Sequence, residues 1–251
     1  RWIRGPVVGR SFALGAAAGL AWSPCVGPLL GSALTVAASS GSPVRAGALP
    51  ETPGLPPGAS LDGLWLPARG PEPRGGAIVA APHPLMGGSM DSPVVTEIAL
   101  AASDAGYVAL RFDWRGVGAS AGRPSGEVAD ADVDTRAALE FMQESVEGPI
   151  VAAGYSWGSL AAFRIGIDAA RVQRLVLVAP PPTMLDRDRL LRARKRILIV
   201  TGDRDDYVPL PALRALVDGV ERLELVVLPD VDHFFMSGLQ GLGRAVRGWL
   251  D

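Results

Sequence analysis

The sequence predicts an α/β domain with a mainly parallel, doubly wound sheet that is covered by helices on both faces. From about residue 60 onward, short apolar runs alternate with longer helical stretches. Right-handed crossovers join strands and helices of this length, and they produce a parallel sheet. The 251 residues, 48% of them hydrophobic, suffice for one such domain of about 200 residues and an additional segment.

Seven strands and five helices are predicted in this domain. The strands cover residues 61–66, 76–81, 107–112, 150–153, 174–179, 195–201 and 223–228. The helices cover residues 91–105, 127–145, 159–170, 210–217 and 238–250. The strand at 61–66 has Leu64 and Leu66 alternating with Trp65, and the other strands are short apolar runs. The helix at 127–145 has apolar residues at roughly helical spacing.

Charge and cysteine content exclude several classes of function. A net charge of -2 gives no general attraction for nucleic acid. The basic run 187–196 contains Asp188 and lacks interleaved aromatic residues, so it is interpreted as a surface helix. The single cysteine, Cys25, excludes an intrachain disulfide. We therefore expect no nucleic-acid partner, and the sequence carries no mark of the oligomeric state.

The first part of the chain is apolar and differs from the rest. No charged residue occurs between Arg10 and Arg45, and residues 11–40 are long enough to cross a bilayer, which takes about 20 residues. We predict an apolar, membrane-contacting segment at 1–41, a Pro/Gly-rich linker at 42–58, and a catalytic domain at 59–251 that is cytoplasmic and membrane-anchored. A secretory signal or a fusion remnant is the alternative, and a start at Arg1 is typical of a fragment or a processed product.

The segment around Cys25 has a motif of its own. The run Pro24-Cys25-Val26-Gly27-Pro28 resembles one proline-broken helix of the cytochrome c biogenesis family of membrane thiol-disulfide carriers. Those carriers use a second cysteine on another membrane helix, and this chain has only one. A redox segment centred on Cys25 is therefore the least favoured function.

Two stretches match the pattern glycine, any residue, serine, any residue, glycine. GYSWG, with Ser156 at its centre, lies between a predicted strand and a predicted helix, which is the context of a nucleophile elbow. GASAG, with Ser120 at its centre, runs into Arg123 and Pro124, and the residue before a proline is biased away from helix. Ser156 is therefore the predicted nucleophile.

A serine nucleophile needs a base and an acid that orients the base. The chain has two histidines: His83 follows an early strand, and His233 follows the last one. Three carboxylates, Asp203, Asp205 and Asp206, follow the strand predicted at 195–201. Periodicity alone does not choose among the three, which also suit a polar turn that caps the next helix.

Six motifs together resemble a branch of small bacterial α/β hydrolases over roughly residues 60–251. They are APHPLMGGSMDSPVV, RFDWRGVGAS, GYSWGS, VAPPP, GDRDDYVP and DHFF, in that order. The resemblance implies the α/β-hydrolase fold with a minimal cap, since the segment between Ala179 and Lys195 is short. Haloalkane and epoxide hydrolases carry aspartate at the elbow and dienelactone hydrolases carry cysteine, so Ser156 argues against both.

The resemblance also implies which residues form the triad. The chain order of α/β hydrolases is serine, acid, histidine, which selects His233 as the base. GDRDDYVP resembles the strand-end motif of the superfamily, in which the aspartate three residues after the glycine is the acid. That alignment makes Asp205 the acid, with Asp203 as first alternative and Asp206 as second.

The oxyanion hole requires two backbone donors, one of which is the amide after the nucleophile, here Trp157. The loop at 80–91 resembles the histidine-glycine loop of the superfamily, with Pro84 in the glycine position. Proline has no amide hydrogen, so Leu85 is the predicted second donor, with Met86 behind it. His83 is expected to bond the loop backbone and fix its shape.

The sequence therefore predicts a serine hydrolase that cleaves a small-molecule ester or related acyl substrate. No cofactor is needed, and the two distant histidines give no recognised metal site. The alternative is a binding module with the same fold and no turnover, which Pro84 and the absence of a substrate-defining lid favour.

Overall fold

A computed structural model describes residues 44–45, residue 55 and residues 59–251. The predicted fold class is confirmed: these residues form a mostly parallel sheet flanked by helices. The predicted apolar segment 1–41, Cys25 and most of the predicted linker lie outside the described residues. None of the helices among the described residues is long and apolar enough to cross a membrane.

Eight strands form one sheet in the order β1-β2-β4-β3-β5-β6-β7-β8. The strands are β1 (Val44–Arg45), β2 (Gly63–Leu66), β3 (Gly75–Ala80), β4 (Tyr107–Phe112), β5 (Ile150–Tyr155), β6 (Val172–Val178), β7 (Arg196–Gly202) and β8 (Leu223–Leu228). β1 and β2 pair antiparallel with each other, β2 pairs antiparallel with β4, and the remaining pairs are parallel. β3 and β5 are buried along their whole length, as expected of central parallel strands.

Within the described residues, six α-helices connect or follow these strands. They are α1 (Pro93–Asp104), α2 (Val128–Ser145), α3 (Trp157–Gly166), α4 (Arg187–Leu191), α5 (Leu210–Val217) and α6 (Leu239–Leu250). Along the sheet, the crossover from β3 to β4 runs in the opposite direction to the crossover from β5 to β6. Right-handed crossovers therefore place α1 on one face and α2 and α3 on the other. In agreement, α1 packs beside α6 and α2 beside α3.

The seven predicted strands and five predicted helices are present, and three differences are informative. Val44–Arg45, within the predicted linker, forms an edge strand opposite Leu64 and Trp65. Helix α3 begins at Trp157, two residues earlier than predicted, because the chain turns from strand to helix within one residue. The helix predicted over the basic run ends at Leu191, and Arg196 already belongs to β7.

A buried ion pair fixes the loop after β4 to helix α2. Arg115 is 7% exposed and Asp134 is 1% exposed. The guanidinium Nη2 lies 2.8 Å from Asp134 Oδ1, and the Arg115 amide donates to Asp134 Oδ2 at 2.9 Å. Asp130 binds the same guanidinium at 2.6 Å. The loop is therefore held through both backbone and side chain.

Replacement of Asp134 by alanine is expected to lower the free energy of unfolding by about 3–5 kcal/mol, because Arg115 would remain buried without its main partner. The matched control is Asp168→Ala, since Asp168 pairs with Arg189 but its side chain is 80% exposed. The control should cost less than about 1 kcal/mol. Urea unfolding curves measure both values, and equal losses would contradict the assignment of the buried pair.

Candidate active site

The sheet order reverses between β3 and β5, and this point locates the site. The connections from β3 and β5 leave in opposite directions, which opens a crevice beyond the carboxyl ends of the two strands. Ser156 directly follows β5, and the loop at 81–91 follows β3. Ala80 and Gly154 are partners in the register of the two strands, so both connections start side by side.

Ser156 has a backbone conformation that is rare for a residue with a side chain. Its φ is 52° and its ψ is -117°. The surrounding structure holds it there, since its amide donates to the Val178 carbonyl at 2.8 Å and its carbonyl accepts from the Ser159 hydroxyl. Strained residues of this kind persist only when their neighbours fix them, and they cluster at functional sites.

The two glycines of GYSWG are required by close backbone contacts. A Cβ atom on Gly154 would lie 2.3 Å from the carbonyl of Gly158. A Cβ atom on Gly158 would lie 2.3 Å from the carbonyl oxygens of Ala80 and Ala81. The first contact lets α3 start directly over the end of β5, and the second brings α3 against the end of β3. The sequence pattern is therefore a packing requirement.

The structure brings together Ser156, His233 and Asp205, which lie far apart in the sequence. His233 Nε2 is 3.0 Å from Ser156 Oγ, and His233 Nδ1 is 2.8 Å from Asp205 Oδ2. Asp205 is 5% exposed and His233 is 7% exposed. The second carboxylate oxygen of Asp205 accepts the amides of Tyr207 and Val208, each at 2.9 Å. These bonds fix the carboxylate in the orientation that faces the imidazole.

The alternatives for the acid, Asp203 and Asp206, and for the nucleophile, Ser120, lie in other surroundings. Asp203 is exposed, and its Oδ1 accepts the Asp230 amide at 2.7 Å. Asp206 is exposed to solvent. Ser120 is 8% exposed, and its hydroxyl accepts the Asp62 amide at 2.8 Å while it donates to the Asp113 carbonyl at 2.9 Å. The Ser120 hydroxyl thus joins two backbone segments.

The loops that carry Asp205 and His233 are joined by backbone hydrogen bonds. The Arg204 amide donates to the Val231 carbonyl at 3.0 Å, and the Asp203 amide donates to the Leu228 carbonyl at 3.0 Å. A Cβ atom on Gly202 would lie 1.9 Å from the Val231 carbonyl oxygen. The glycine at the end of β7 is therefore what allows the two loops to meet, a role that sequence reasoning did not assign to it.

Two tyrosines next to His233 were also missed by sequence reasoning. The Tyr155 hydroxyl donates to the His233 carbonyl at 2.9 Å, and the two rings are 5.5 Å apart. The Tyr207 ring lies 4.7 Å from the imidazole. Burial, and then the nearby charge of Asp205, raises the pKa of Tyr155, so its hydroxyl keeps the proton that it donates. No local pattern marks these residues, because their contacts span 26 to 78 positions along the chain.

One of the two predicted oxyanion donors, the Leu85 amide, already has a hydrogen-bond partner. Trp157 is the first residue of α3, where helical amides have no partner within the helix. The Leu85 amide, however, donates to His83 Nδ1 at 3.2 Å, and the Met86 amide donates to the His83 carbonyl at 3.0 Å. The reason is local: Pro84 starts a short 3-10 turn with His83 as its N-cap. In this structure the Leu85 amide is thus bonded within its own loop.

Residues of the motif RFDWRGVGAS hold this loop at both ends. The Trp114 indole donates to the carbonyls of Ala81 and Pro82, at 3.1 and 2.9 Å. Asp113 Oδ1 accepts the Met90 amide at 2.7 Å. Burial raises the pKa of Asp113, and the bond from Met90 opposes that shift. The motif therefore acts as a support for the loop beside the serine.

Comparisons with known proteins agree with this architecture. The model of the serine aminopeptidase S33 family matches residues 77–187. An uncharacterized protein of Rickettsia prowazekii is 27% identical over 186 residues, which cover 69% of this chain and 77% of the relative. An α/β serine hydrolase homologue from Coxiella burnetii has a TM-score of 0.71 and 29% identity, and the match covers 84% of this chain and 97% of that one.

A lidless α/β serine hydrolase from Xanthomonas campestris gives a TM-score of 0.68 with 28% identity, over 82% of this chain and 92% of that one. This chain has the α/β-hydrolase fold. The similarities support membership of the α/β-hydrolase superfamily and a hydrolase function. They give no support to the resemblance of the segment around Cys25 to membrane thiol-disulfide carriers.

Two cavities lie apart from the candidate active site. One cavity of about 470 Å³ is lined by residues between Arg214 and Leu225, and another of about 180 Å³ lies between Arg74, Tyr107 and Arg174. Neither includes Ser156, Asp205 or His233. Within the described part of the chain, no group of three or more His, Cys, Asp or Glu side chains is arranged to hold a metal ion.

The substitution Gly158→Ala is expected to destabilise the hydrolase by about 1–3 kcal/mol, because the new methyl group would overlap the carbonyls of Ala80 and Ala81. Gly248→Ala is the matched control, since Gly248 lies in α6 and a Cβ atom there would have nothing within 4 Å. That change should raise the free energy of unfolding by about 0.5–1 kcal/mol. Thermal and urea unfolding of both variants distinguish the two effects, and a neutral Gly158→Ala would contradict the close contact.

Proposed function

We propose that this protein is a serine hydrolase that cleaves esters or related acyl compounds. The observation that carries the proposal is the contact of His233 Nε2 with Ser156 Oγ at 3.0 Å, while His233 Nδ1 meets Asp205 Oδ2 at 2.8 Å. A hydroxyl, an imidazole and a carboxylate in this arrangement form an activated nucleophile. The strained conformation of Ser156 and the superfamily similarities support the same conclusion.

In the proposed reaction, Ser156 Oγ attacks the acyl carbonyl carbon and His233 Nε2 takes the hydroxyl proton. The tetrahedral intermediate then expels the alcohol, which receives that proton from His233. Water attacks the acyl-enzyme with His233 as base, and this step releases the carboxylic acid and restores Ser156. Asp205 orients the imidazole and stabilises its charged form. Each proton that His233 takes up is returned within the same half-reaction, so the reaction needs no cofactor.

The negative oxygen of the intermediate needs two donors, and loss of one typically costs about 3 kcal/mol of barrier. We propose the Trp157 amide as one donor and the Leu85 amide as the other. To act as an oxyanion donor, the Leu85 amide must break its hydrogen bond to His83 Nδ1. That hydrogen bond is exposed to solvent and long, at 3.2 Å. The His83 ring packs 4.7 Å from the Trp157 ring, so His83 contacts both sides of the proposed oxyanion site.

A second candidate substrate class is the amide bond at a peptide N-terminus, because the matched family model is that of a serine aminopeptidase. The same triad can cleave either bond. Hydrolysis rates of p-nitrophenyl esters and of aminoacyl p-nitroanilides separate the two classes. Preferential turnover of the anilides would favour the aminopeptidase function over the ester function.

The substitution Ser156→Ala should abolish covalent labelling by a fluorophosphonate probe and reduce ester hydrolysis by roughly 10⁶-fold, because no nucleophile remains. Ser120→Ala serves as the control, and in folded form it should be labelled like the parent protein. Gel fluorescence after probe treatment measures the labelling. Labelling that persists in Ser156→Ala would refute the nucleophile, and absence of labelling in the folded parent protein would favour a binding module without turnover.

The substitution Asp205→Asn should lower kcat by about 10⁴-fold, because an amide would favour the wrong imidazole tautomer. Asp203→Asn should have little effect on kcat, since Asp203 bonds the Asp230 amide. Steady-state kinetics on a short-chain ester compare the two variants. A larger loss in Asp203→Asn would assign the acid to Asp203.

A further inference from the structure

Exposed apolar side chains are concentrated at the carboxyl edge of the sheet, which also carries the proposed active site. Nine large apolar side chains are exposed among the described residues. Six of them lie on connections at the carboxyl edge of the sheet: Leu85, Met86, Met184, Tyr207, Phe234 and Met236. We refer to these six as the apolar rim. The other three, Leu100, Val128 and Leu191, lie on helices. Exposed apolar patches on soluble proteins commonly mark binding surfaces.

In one part of the apolar rim, two aromatic rings pack against the imidazole of His233. The ring of Tyr207 lies 4.7 Å from His233, and the ring of Phe234 lies 5.7 Å from it. The two aromatic rings also contact each other edge to face at 6.3 Å. They form a continuous apolar surface next to the base, with 55% of Tyr207 and 59% of Phe234 exposed.

The other part of the rim lies on the opposite side of the serine. Leu85 and Met86 belong to the 3-10 turn that starts after His83, and the His83 ring packs on Trp157. Trp157 directly follows Ser156, whereas His233 contacts the Ser156 hydroxyl. His83 and Trp157 thus connect the turn to Ser156, and His233 connects Ser156 to the two aromatic rings. Ser156 therefore lies between the two parts of the rim.

The short segment after β6 contributes Met184 to the rim and leaves the other five rim side chains exposed. Its helix α4 is fixed at the C-terminal end of α3, where Arg189 binds the Arg164 carbonyl at 3.1 Å and pairs with Asp168. The Arg189 guanidinium also lies over the Phe163 ring at 5.6 Å. Because Ser156 is at the other end of α3, helix α4 is held away from the serine. A substrate would thus meet an open apolar surface.

We propose that the apolar rim binds the acyl chain of the substrate, and that the preferred substrates are uncharged esters with an acyl chain well beyond acetyl. This proposal rests on the proposed function, in which Ser156 attacks the acyl carbonyl. The six rim side chains carry no charge. Each methylene that is fully removed from water favours binding by a factor of about 4, and an open surface gives part of that factor.

The test compares kcat/KM for p-nitrophenyl octanoate and p-nitrophenyl acetate, both below their solubility limits. In the parent protein, the octanoate value should exceed the acetate value by about tenfold or more, the result of several partly buried methylenes. Phe234→Ser and Met236→Gln should each lower this ratio severalfold, because they remove apolar contact area. Leu191→Gln is the matched control: it changes an exposed apolar residue on α4 and should leave the ratio unchanged.

Four outcomes overturn the proposal, and they are distinguishable. A ratio near one in the parent protein, with fluorophosphonate labelling intact, refutes the acyl-chain site and leaves the proposed function standing. An octanoate-to-acetate ratio that is unchanged in both Phe234→Ser and Met236→Gln also refutes the acyl-chain site and leaves the proposed function standing. Sedimentation of Ser156→Ala with phosphatidylcholine vesicles, together with an unchanged ratio, would assign the rim to a lipid surface. Absence of both labelling and ester turnover in the folded parent protein refutes the proposed function itself.

Discussion

The close backbone approach at Gly154 and Gly158 is the constraint on which the site depends. Any side chain at either position would overlap main-chain atoms, since a Cβ atom would lie 2.3 Å from a neighbouring backbone in both cases. These contacts join β5, α3 and the end of β3 into one unit, at the point where the sheet order reverses. Ser156 is held in a rare conformation between them, because its amide donates to the Val178 carbonyl on β6 and its carbonyl accepts from the Ser159 hydroxyl. The surrounding structure thus fixes a backbone conformation that would otherwise be unfavourable.

Close backbone contact also positions Asp205 and His233, which lie on the loops after β7 and β8. Gly202 allows the connection after β7 to touch the connection after β8, and two amide-carbonyl bonds join them. Asp205 then faces His233 with its carboxylate already oriented by two amides. Tyr155, which lies beside the nucleophile in the sequence, donates to the His233 carbonyl and so ties the elbow to the histidine loop. Hydrogen bonds from the backbone therefore hold Asp205 and the His233 loop in place beside Ser156.

The loop beside the serine is supported differently, by side chains from the connection after β4. Trp114 and Asp113 hold its two ends, while Arg115 anchors the supporting connection to Asp134. The polar motif that looks like a second serine site thus has a structural role, since the Ser120 hydroxyl closes it against the backbone of Asp62. Within the supported loop, the Leu85 amide donates to His83 Nδ1, so the hydrogen bonds on this side of the site are made inside the loop itself.

Apolar periodicity and glycine placement were enough to predict the fold class and the strand and helix positions to within a few residues. They suffice because both are local properties of the chain. Periodicity left Asp203, Asp205 and Asp206 equivalent, and the folded arrangement of the loops selects the carboxylate that faces the imidazole. The contacts of Tyr155, Tyr207 and Gly202, and the bonding of the Leu85 amide within its own turn, likewise arise in three dimensions. The physical reason is that these contacts depend on how separate loops approach one another at a sheet edge, and no single stretch of sequence encodes that approach.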